Sequence, residues 1–376
     1  MVCAEFRRDP LSRLTITRCF YLSLPIGAVV AAVLLFINIP ERVEKPKALA
    51  VLRDLPKKLD LIGFTLLAGA TVQLLIALQY GGNQYSWNSS MIIGLFCGFG
   101  GTFLVLLTWF WYKKDDALIP ITLLRKPTIL CSSLVFGFFV ARLITTSYYL
   151  PIYFQSVKGF SPTLSGVSLL PMIITQIFAV IISGILVSIV GYYIPFMLAS
   201  AIFTSIGSGL LTTIAPSTST GHWVGYLVLI GVGSGLGIQM PILAAQATVT
   251  PAQVPLAMGL VQFISTLFAA LNLSFSATIL TNSLHRLIPV YAPTVDADAI
   301  IAAGAYGFRG DLQGAQLSEV LEAYAKSLGR VFYLVTAISA MCGIVAWGMG
   351  WPDMRRKKKK VEAVQVKDGV RDEVVD

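Results

Sequence analysis

Residues 147–171 read SYYLPIYFQSVKGFSPTLSGVSLLP and lie between two long apolar runs. The stretch combines aromatic side chains with a proline, a glutamine and a lysine, namely Tyr148, Tyr149, Tyr153, Phe154, Pro151, Gln155 and Lys158. Aromatic residues with a few hydrogen-bonding groups, at the end of an apolar segment of about twenty residues, are typical of a membrane helix that reaches the bilayer interface. The stretch therefore predicts the end of a transmembrane helix.

The composition of the whole chain agrees with this interpretation. Of its 376 residues, 56% are hydrophobic and only 12% are charged, and the mean hydropathy is +0.76. Soluble domains have about 45–50% apolar and about 25% charged residues, so a soluble core cannot hold this excess. The apolar residues also recur in runs of about twenty, the length that spans a bilayer. We therefore predict an all-α polytopic membrane protein.

Nine apolar runs are long enough to be predicted as transmembrane helices. They cover residues 19–39, 61–80, 91–112, 128–154, 164–190, 195–214, 223–244, 256–280 and 328–351. A polar segment, 281–327, precedes the last run and is predicted to be an outer loop. At its end, residues 318–328 have the apolar spacing of a short amphipathic helix, which we expect at the outer interface.

Basic residues in the connections predict the orientation. The loops 40–59 and 113–127 and the tail 352–376 are basic, and nine alternating spans place all three on one side, the cytoplasmic side. The same alternation puts the polar basic amino terminus 1–18 outside, where a basic terminus is not expected. The net charge of +9 fits topology and lipid head groups, and the run 355–360 predicts contact with anionic lipid. No alternation of basic and aromatic residues predicts binding to nucleic acid.

A glycine-rich segment, LIGVGSGLGIQMP, lies inside the seventh run. Its glycines at 231, 233, 235 and 237 do not have the GxGxxG spacing, and no strand precedes them, so the segment does not predict a phosphate site. Small residues four positions apart let membrane helices approach closely. The pairs Gly231 with Gly235 and Gly233 with Gly237 therefore predict tight packing of the seventh span against its neighbours.

No group of residues predicts catalysis, a metal or a cofactor. Asp296 and Asp298 have the form of a DxD metal motif, but they stand in a predicted loop without clustered ligands. His222 and His285 each stand at the end of a span, and we expect no acid near either of them. The chain has no nucleophile elbow, and its five cysteines have no ligand spacing. We predict that the protein is not an enzyme and uses no cofactor.

Polar side chains inside the spans are the candidates for a transport site, because ionisable groups in hydrocarbon are costly and usually functional. Arg142 is the one charged residue well inside a predicted span. A functional interpretation, in which Arg142 contacts an anionic substrate group or lines a water-filled cavity, and a structural one, in which it bonds carbonyls of a neighbouring helix, are equally supported. The candidate cavity residues are Arg142, Tyr148, Tyr149, Gln155, Gln176 and Gln262. Residues 117–295 contain no Asp or Glu, so no carboxylate is available there to relay a proton.

Several segments of the chain have a family-specific sequence: CFYLSLPIGAV at 19–29, LDLIGF at 59–64, ALQYGGNQYSWNSSMIIGLF at 77–96, YYLPIYFQSVKGFSPTLSGVSLLP at 148–171, and residues 247–284. Together they resemble the fungal fourteen-spanner drug:proton antiporters of the major facilitator superfamily. The resemblance implies a secondary active efflux carrier of a small amphiphilic molecule, such as a drug, toxin or secondary metabolite, exchanged for protons by alternating access. Its implied partners are that substrate, protons and membrane lipid. The implied location is the plasma membrane, with a vacuolar or vesicle membrane as the alternative.

The same resemblance implies a division of the chain. Residues 19–39 correspond to the last helix of an amino-terminal bundle, 40–127 to a basic loop and two linker helices, and 128–351 to a carboxy-terminal six-helix bundle. The five spans that the family has before residue 19 are then missing, which would explain the outside basic terminus and the absent carboxylates. The alternative function is therefore a truncated, non-transporting membrane protein. An incomplete gene model, a pseudogene-like product and a genuine short form all stay open.

Overall fold

The computed structural model describes residues 24–25, 27–33, 60–82, 85–114, 121–250 and 253–351. The chain divides into two compact units, Met1–Leu59 and Asp60–Asp376. In the first unit, residues 24–25 and 27–33 are helical, which covers part of the predicted first span. The amino terminus 1–18, the loop 40–59 and the tail 352–376 lie outside the described residues, and so do the predictions made for them.

The described part of the second unit is built from α-helices. These are α1 Leu61–Tyr80, α2 Ser90–Lys113, α3 Ile121–Leu124, α4 Pro127–Ser156, α5 Pro162–Val167, α6 Leu170–Val190, α7 Ile194–Leu211, α8 Thr220–Gly237, α9 Met240–Thr248, α10 Val254–Tyr291, α11 Ala297–Asp311 and α12 Gly314–Ala346. A 3-10 turn, Trp347–Met349, follows α12. The described residues contain no strand apart from an isolated bridge between Gly81 and Tyr85. The predicted all-α class is confirmed.

Eight helical segments of the described chain are long and apolar enough to cross a membrane by length and composition. They correspond to the second through the ninth predicted spans, and α1 has the bounds predicted for the second. Three of the segments join two elements each: α5 with α6, α8 with α9, and α12 with the 3-10 turn. The protein is a multi-pass membrane protein.

The segment 281–327 differs from the predicted loop because most of it is helical. Helix α10 has 38 residues and continues to Tyr291, α11 follows, and α12 begins at Gly314. At 1.5 Å per residue α10 is about 57 Å long, well beyond the hydrocarbon thickness of about 30 Å. The predicted amphipathic helix 318–328 forms part of the first half of the longer helix α12. Its spacing was predicted correctly, since Val320, Tyr324 and Leu328 are buried.

The six spans from α4 to α12 pack side by side. Helix α4 packs along α10, α12 and α9, while α8 lies between α6 and α7. Helix α12 completes the bundle by packing against α4, α7 and α10. Helices α1 and α2 pack against each other, and α1 also packs against α10. Helix α4 is thus enclosed on several sides, which is why its apolar residues extend around its whole circumference.

Asp60 fastens α1 to α2 at one end of the pair. Its carboxylate caps α1 by accepting the Gly63 N–H at 3.0 Å, and it accepts the Trp109 indole N–H at 2.9 Å. The Lys113 ammonium lies 3.8 Å from the same carboxylate. Asp60 is only 4% exposed, so donors from both helices surround a buried charge. These contacts of Asp60 give the acidic residue of the LDLIGF segment a structural role.

The aromatic residues of the stretch 147–171 form part of the largest buried cluster. Tyr149, Tyr153 and Phe154 are fully buried there, together with residues of α8, α10 and α12. The Phe154 ring meets the Trp223 ring edge to face at 4.8 Å and stacks on the Phe160 ring at 5.8 Å. Edge-to-face and offset pairs of this kind add to the stabilisation from burial. Most of the aromatic side chains therefore hold the end of α4 in place.

Polar atoms of the same stretch bind the loop between α7 and α8. The Tyr153 hydroxyl donates to the Ala215 carbonyl at 2.9 Å, and the Lys158 ammonium donates to the carbonyls of Pro216 at 2.8 Å and Thr218 at 2.5 Å. Partial burial lowers the pKa of Lys158 below its usual value. The stretch thus connects the α4–α5 join to a loop that is about sixty residues later in the chain.

Arg309 of α11 clamps the carboxy-terminal end of α4. Its Nε donates to the Ser156 carbonyl at 2.8 Å and its Nη2 donates to the Val157 carbonyl at 2.7 Å. A cation at this place also complements the negative end of the helix dipole. The close approach depends on Gly159, which has φ +71° and where a Cβ would lie 2.6 Å from Arg309 Nη1. Helix α11 is thereby held against the stretch 147–171.

Candidate functional site

Arg142 lies in the middle of α4 and is almost completely buried. The helix begins at Pro127, a residue suited to a first helical position because its missing N–H would have no partner there. Arg142 is 3% exposed, and its Nη1 donates to the Ser234 hydroxyl of α8 at 3.2 Å. Its guanidinium carbon is 4.1 Å from the centre of the Phe139 ring. Its Nε and Nη2 have no acceptor among the described residues.

No carboxylate lies opposite this guanidinium in the described structure. The contacts between basic and acidic side chains found there join Lys113 to Asp60, His285 to Asp298 and Lys326 to Glu322, and none includes Arg142. One hydroxyl acceptor and one aromatic face compensate only part of a buried charge. Arg142 therefore combines high burial with unused hydrogen-bond donors, which is unusual in a folded protein.

A second unpaired polar atom lies in the neighbourhood of the Phe139 ring. The Ser200 hydroxyl of α7 is buried and has no partner among the described residues. A Cβ on Gly237 of α8 would touch both this hydroxyl and the Phe139 ring, the latter at 3.4 Å. The side chains of Arg142 and Ser200 thus both lie near one ring, between α4, α7 and α8.

Helix α8 contacts α6 through the first of the two predicted glycine pairs. A Cβ at Gly231 would fall less than 3.0 Å from the Met172 carbonyl oxygen, and one at Gly235 would fall 2.5 Å from the Ala179 Cβ. No side chain larger than hydrogen fits at either position without moving a helix. The backbones of α6 and α8 are therefore in direct contact.

The second pair makes the same kind of contact with α7. A Cβ at Gly233 would lie 2.7 Å from Thr204 Cγ2, and one at Gly237 would lie 2.7 Å from Ser200 Cβ. The predicted packing function of both pairs is confirmed, and the structure adds that each pair faces a different helix. Ser234 lies inside both glycine pairs in sequence, and this close approach brings it to the Arg142 guanidinium.

Three further hydrogen bonds cross between helices in this part of the bundle. The Asn272 amide of α10 donates to the Thr145 hydroxyl at 2.5 Å and to the Ala141 carbonyl at 3.4 Å, both on α4. The Ser183 hydroxyl of α6 donates to the Gly235 carbonyl at 3.3 Å. Sequence reasoning missed Thr145, Ser183, Ser200 and Ser234, because a helical hydroxyl usually bonds a carbonyl of its own helix.

The six predicted cavity residues occupy different environments. Arg142 and Tyr149 are buried, Gln155 and Gln176 are partly buried, Tyr148 is 50% exposed, and Gln262 is exposed. The Tyr148 and Tyr149 rings meet edge to face at 5.2 Å. The Gln155 amide donates to the Ser165 hydroxyl at 3.4 Å, and the Gln262 amide to the Thr266 hydroxyl at 3.5 Å. No hydrogen bond joins any two of the six in the described structure.

The DxD segment begins α11. The Asp296 carboxylate accepts the Asp298 N–H at 3.1 Å, as a helix N-cap does. Asp298 lies 3.5 Å from the His285 ring, so the prediction that no acid stands near His285 was wrong. The pair forms because α10 continues past residue 280. The described residues bring together no three His, Cys, Asp or Glu side chains that could hold a metal ion.

Known proteins similar to this chain are fungal transporters, although no family model matches it. An MFS-type transporter of Monascus ruber, pigP, is 50% identical over 337 residues, which are 90% of this chain and 59% of that protein. The efflux pump mlcE of Penicillium citrinum is 42% identical over 347 residues, 90% of this chain and 63% of the pump. The MFS-type transporter calB of Penicillium decumbens is 40% identical over 367 residues, 96% and 65% of the respective chains. The chain spans about three-fifths of the length of the curated relatives it matches.

Proposed function

We propose that this chain, which belongs to the major facilitator superfamily in the branch of the fungal efflux pumps, acts in the export of a small amphiphilic molecule. The observation that carries the proposal is 50% identity over 337 residues to an MFS-type transporter. Eight described helices are long and apolar enough to span a membrane, as such a carrier requires. The relatives are named as transporters and pumps, which points to transport and not to catalysis.

The proposed substrate path runs along α4. Arg142 contributes a buried cation, and Tyr148 and Gln262 contribute exposed polar groups that a ligand can contact directly. Tyr149, Gln155 and Gln176 complete the proposed set of cavity residues. The direct backbone contacts of α8 with α6 and α7 favour motion, because helices that meet at glycines have no interlocked side chains to release. Alternating access needs such relative movement around a site between helices.

Proton antiport is the proposed energy source. Asp60 is a buried carboxylate, and it receives donors from Gly63 and Trp109 beside Lys113. We assign Asp60 to helix packing, because its carboxylate is bound by donors from both α1 and α2. Dependence on a proton gradient therefore has to be tested directly. We further propose the plasma membrane as the location, with anionic lipid bound at 355–360.

Reconstituted transport tests the proposal. The purified chain is inserted into liposomes loaded with a fluorescent amphiphilic dye, and dye release is measured with and without a pH gradient. We expect release faster than from protein-free liposomes, accelerated by the gradient and slowed when a protonophore removes it. Dye release at the same rate with and without the pH gradient would contradict proton antiport but not transport. Release no faster than from protein-free liposomes would contradict transport by this polypeptide and favour the alternative of a non-transporting membrane protein.

A further inference from the structure

The two unused donors of Arg142 lie along one edge of its guanidinium. Nε and Nη2 present two N–H groups in parallel, which is the arrangement that matches the two oxygens of a carboxylate. The third nitrogen, Nη1, is already bonded to the Ser234 hydroxyl. The edge that is free is therefore the one suited to bidentate binding.

The surroundings keep the guanidinium in this orientation. Ser234 holds it from α8, and the Phe139 ring covers one face at 4.1 Å. The Ser200 hydroxyl, also without a partner in the described structure, adds a donor near the same ring. The free edge of the Arg142 guanidinium, buried and held in a fixed orientation, is suited to a planar, negatively charged group.

We propose that this edge of Arg142 binds a carboxylate of the transported molecule, so that the substrates of this chain are organic acids. The inference deepens the proposed function and rests on it. A purely structural bond of Arg142 to helix carbonyls does not account for the edge, since Nε and Nη2 contact no carbonyl oxygen in the described residues. Residues 117–295 also contain no carboxylate that would occupy it. Because Arg142 is 3% exposed, the ligand reaches the site only when the helices move apart.

Anion-dependent thermal stability of the detergent-purified chain tests the inference without requiring transport. The probes are sodium benzoate, the neutral analogue benzamide and sodium chloride, at equal ionic strength. We expect benzoate to raise the unfolding temperature in a saturable way, and benzamide and chloride to leave it unchanged. Arg142→Lys keeps the charge but loses the fork, so the apparent Kd for benzoate should rise at least about tenfold. Gly225→Ala, at a position with open space, should bind benzoate like the wild type.

Each other outcome has a definite meaning. If chloride and benzoate raise the unfolding temperature equally and saturably, the site binds an inorganic anion, and the proposed substrate class is overturned. No shift with either anion in the folded wild type, or an unchanged Kd in Arg142→Lys, would overturn the site. If Arg142→Lys does not fold, photolabelling of the wild type with 4-azidobenzoate decides, and labels outside α4, α7 and α8 would overturn the site. Dye transport without benzoate binding would remove this inference and leave the proposed function intact.

Discussion

Replacing Gly235 with alanine tests the direct contact of α8 with α6, with a matched change on the same helix. A Cβ at Gly235 would lie 2.5 Å from the Ala179 Cβ and 2.8 Å from the Val180 nitrogen. Ordinary Cβ contacts begin at 3.4 Å, so the helices have to separate by roughly 1 Å. Overpacking of this size costs about 1–3 kcal/mol. Gly225 has nothing within 4 Å of its Cβ, so Gly225→Ala carries only the change in helix propensity that both variants share.

We therefore expect Gly235→Ala to unfold with a free energy about 1–3 kcal/mol lower than that of Gly225→Ala. The assay is reversible unfolding in mixed micelles of denaturing and non-ionic detergent, followed by circular dichroism. Dye release from proteoliposomes, measured on the same preparations, should fall in Gly235→Ala because α8 and its Ser234 are displaced from Arg142. Equal free energies of unfolding for the two variants would refute the reasoning that backbone contact sets the distance between α6 and α8.

Three further perturbations test contacts outside the α6–α8 interface. Asp60→Asn should lower the free energy of unfolding by about 1–3 kcal/mol. If Asp60→Asn costs just as much in a protein that already carries Trp109→Phe, the hydrogen bond between the Asp60 and Trp109 side chains is contradicted. Arg309→Gln removes two charge-assisted bonds and should cost about 2–3 kcal/mol and speed proteolysis beside α11, whereas the exposed Arg286→Gln should not; equal cleavage rates would argue against the clamp. The lowered pKa of Lys158 means that the unfolded chain holds this proton more tightly, so the wild type should gain stability relative to Lys158→Met as pH rises toward 10.5. Unfolding midpoints from about pH 7 to about pH 10 check the sign, and a shrinking advantage would contradict it.

Local signals in the sequence were enough to predict most of the spans. A helix in hydrocarbon has to be apolar over about twenty residues and satisfy its own backbone, so hydropathy alone finds it. The run 61–80 coincides with α1 for this reason. The spacing of the four glycines likewise predicted helix contacts, because the periodicity of a helix places residues four apart on one face. Which helix each pair faces depends on the packing of the whole bundle and had no local signal.

Hydropathy could not show where α10 and α12 extend beyond the apolar runs. Outside hydrocarbon a helix tolerates polar residues, so α10 continues through His285 and Arg286 without any drop in helical order. The change from apolar to polar composition after residue 280 therefore predicts the end of the helix too early. The contact of His285 with Asp298 has no signal in the sequence either, because it depends on the helical continuation of α10 to Tyr291.

The stretch 147–171 and Arg142 are close in sequence but differ in what their side chains contact. Tyr153 and Lys158 bond the loop between α7 and α8, and Arg309 caps the end of α4, so the stretch determines where that helix ends. Arg142 lies one to two turns before the stretch, and its Nε and Nη2 donors are not used by any described residue. Substitutions in the stretch should therefore lower the free energy of unfolding more than they weaken ligand binding, whereas substitutions at Arg142 should mainly weaken ligand binding. The relative size of these two effects separates a residue that holds the bundle together from one that binds a substrate.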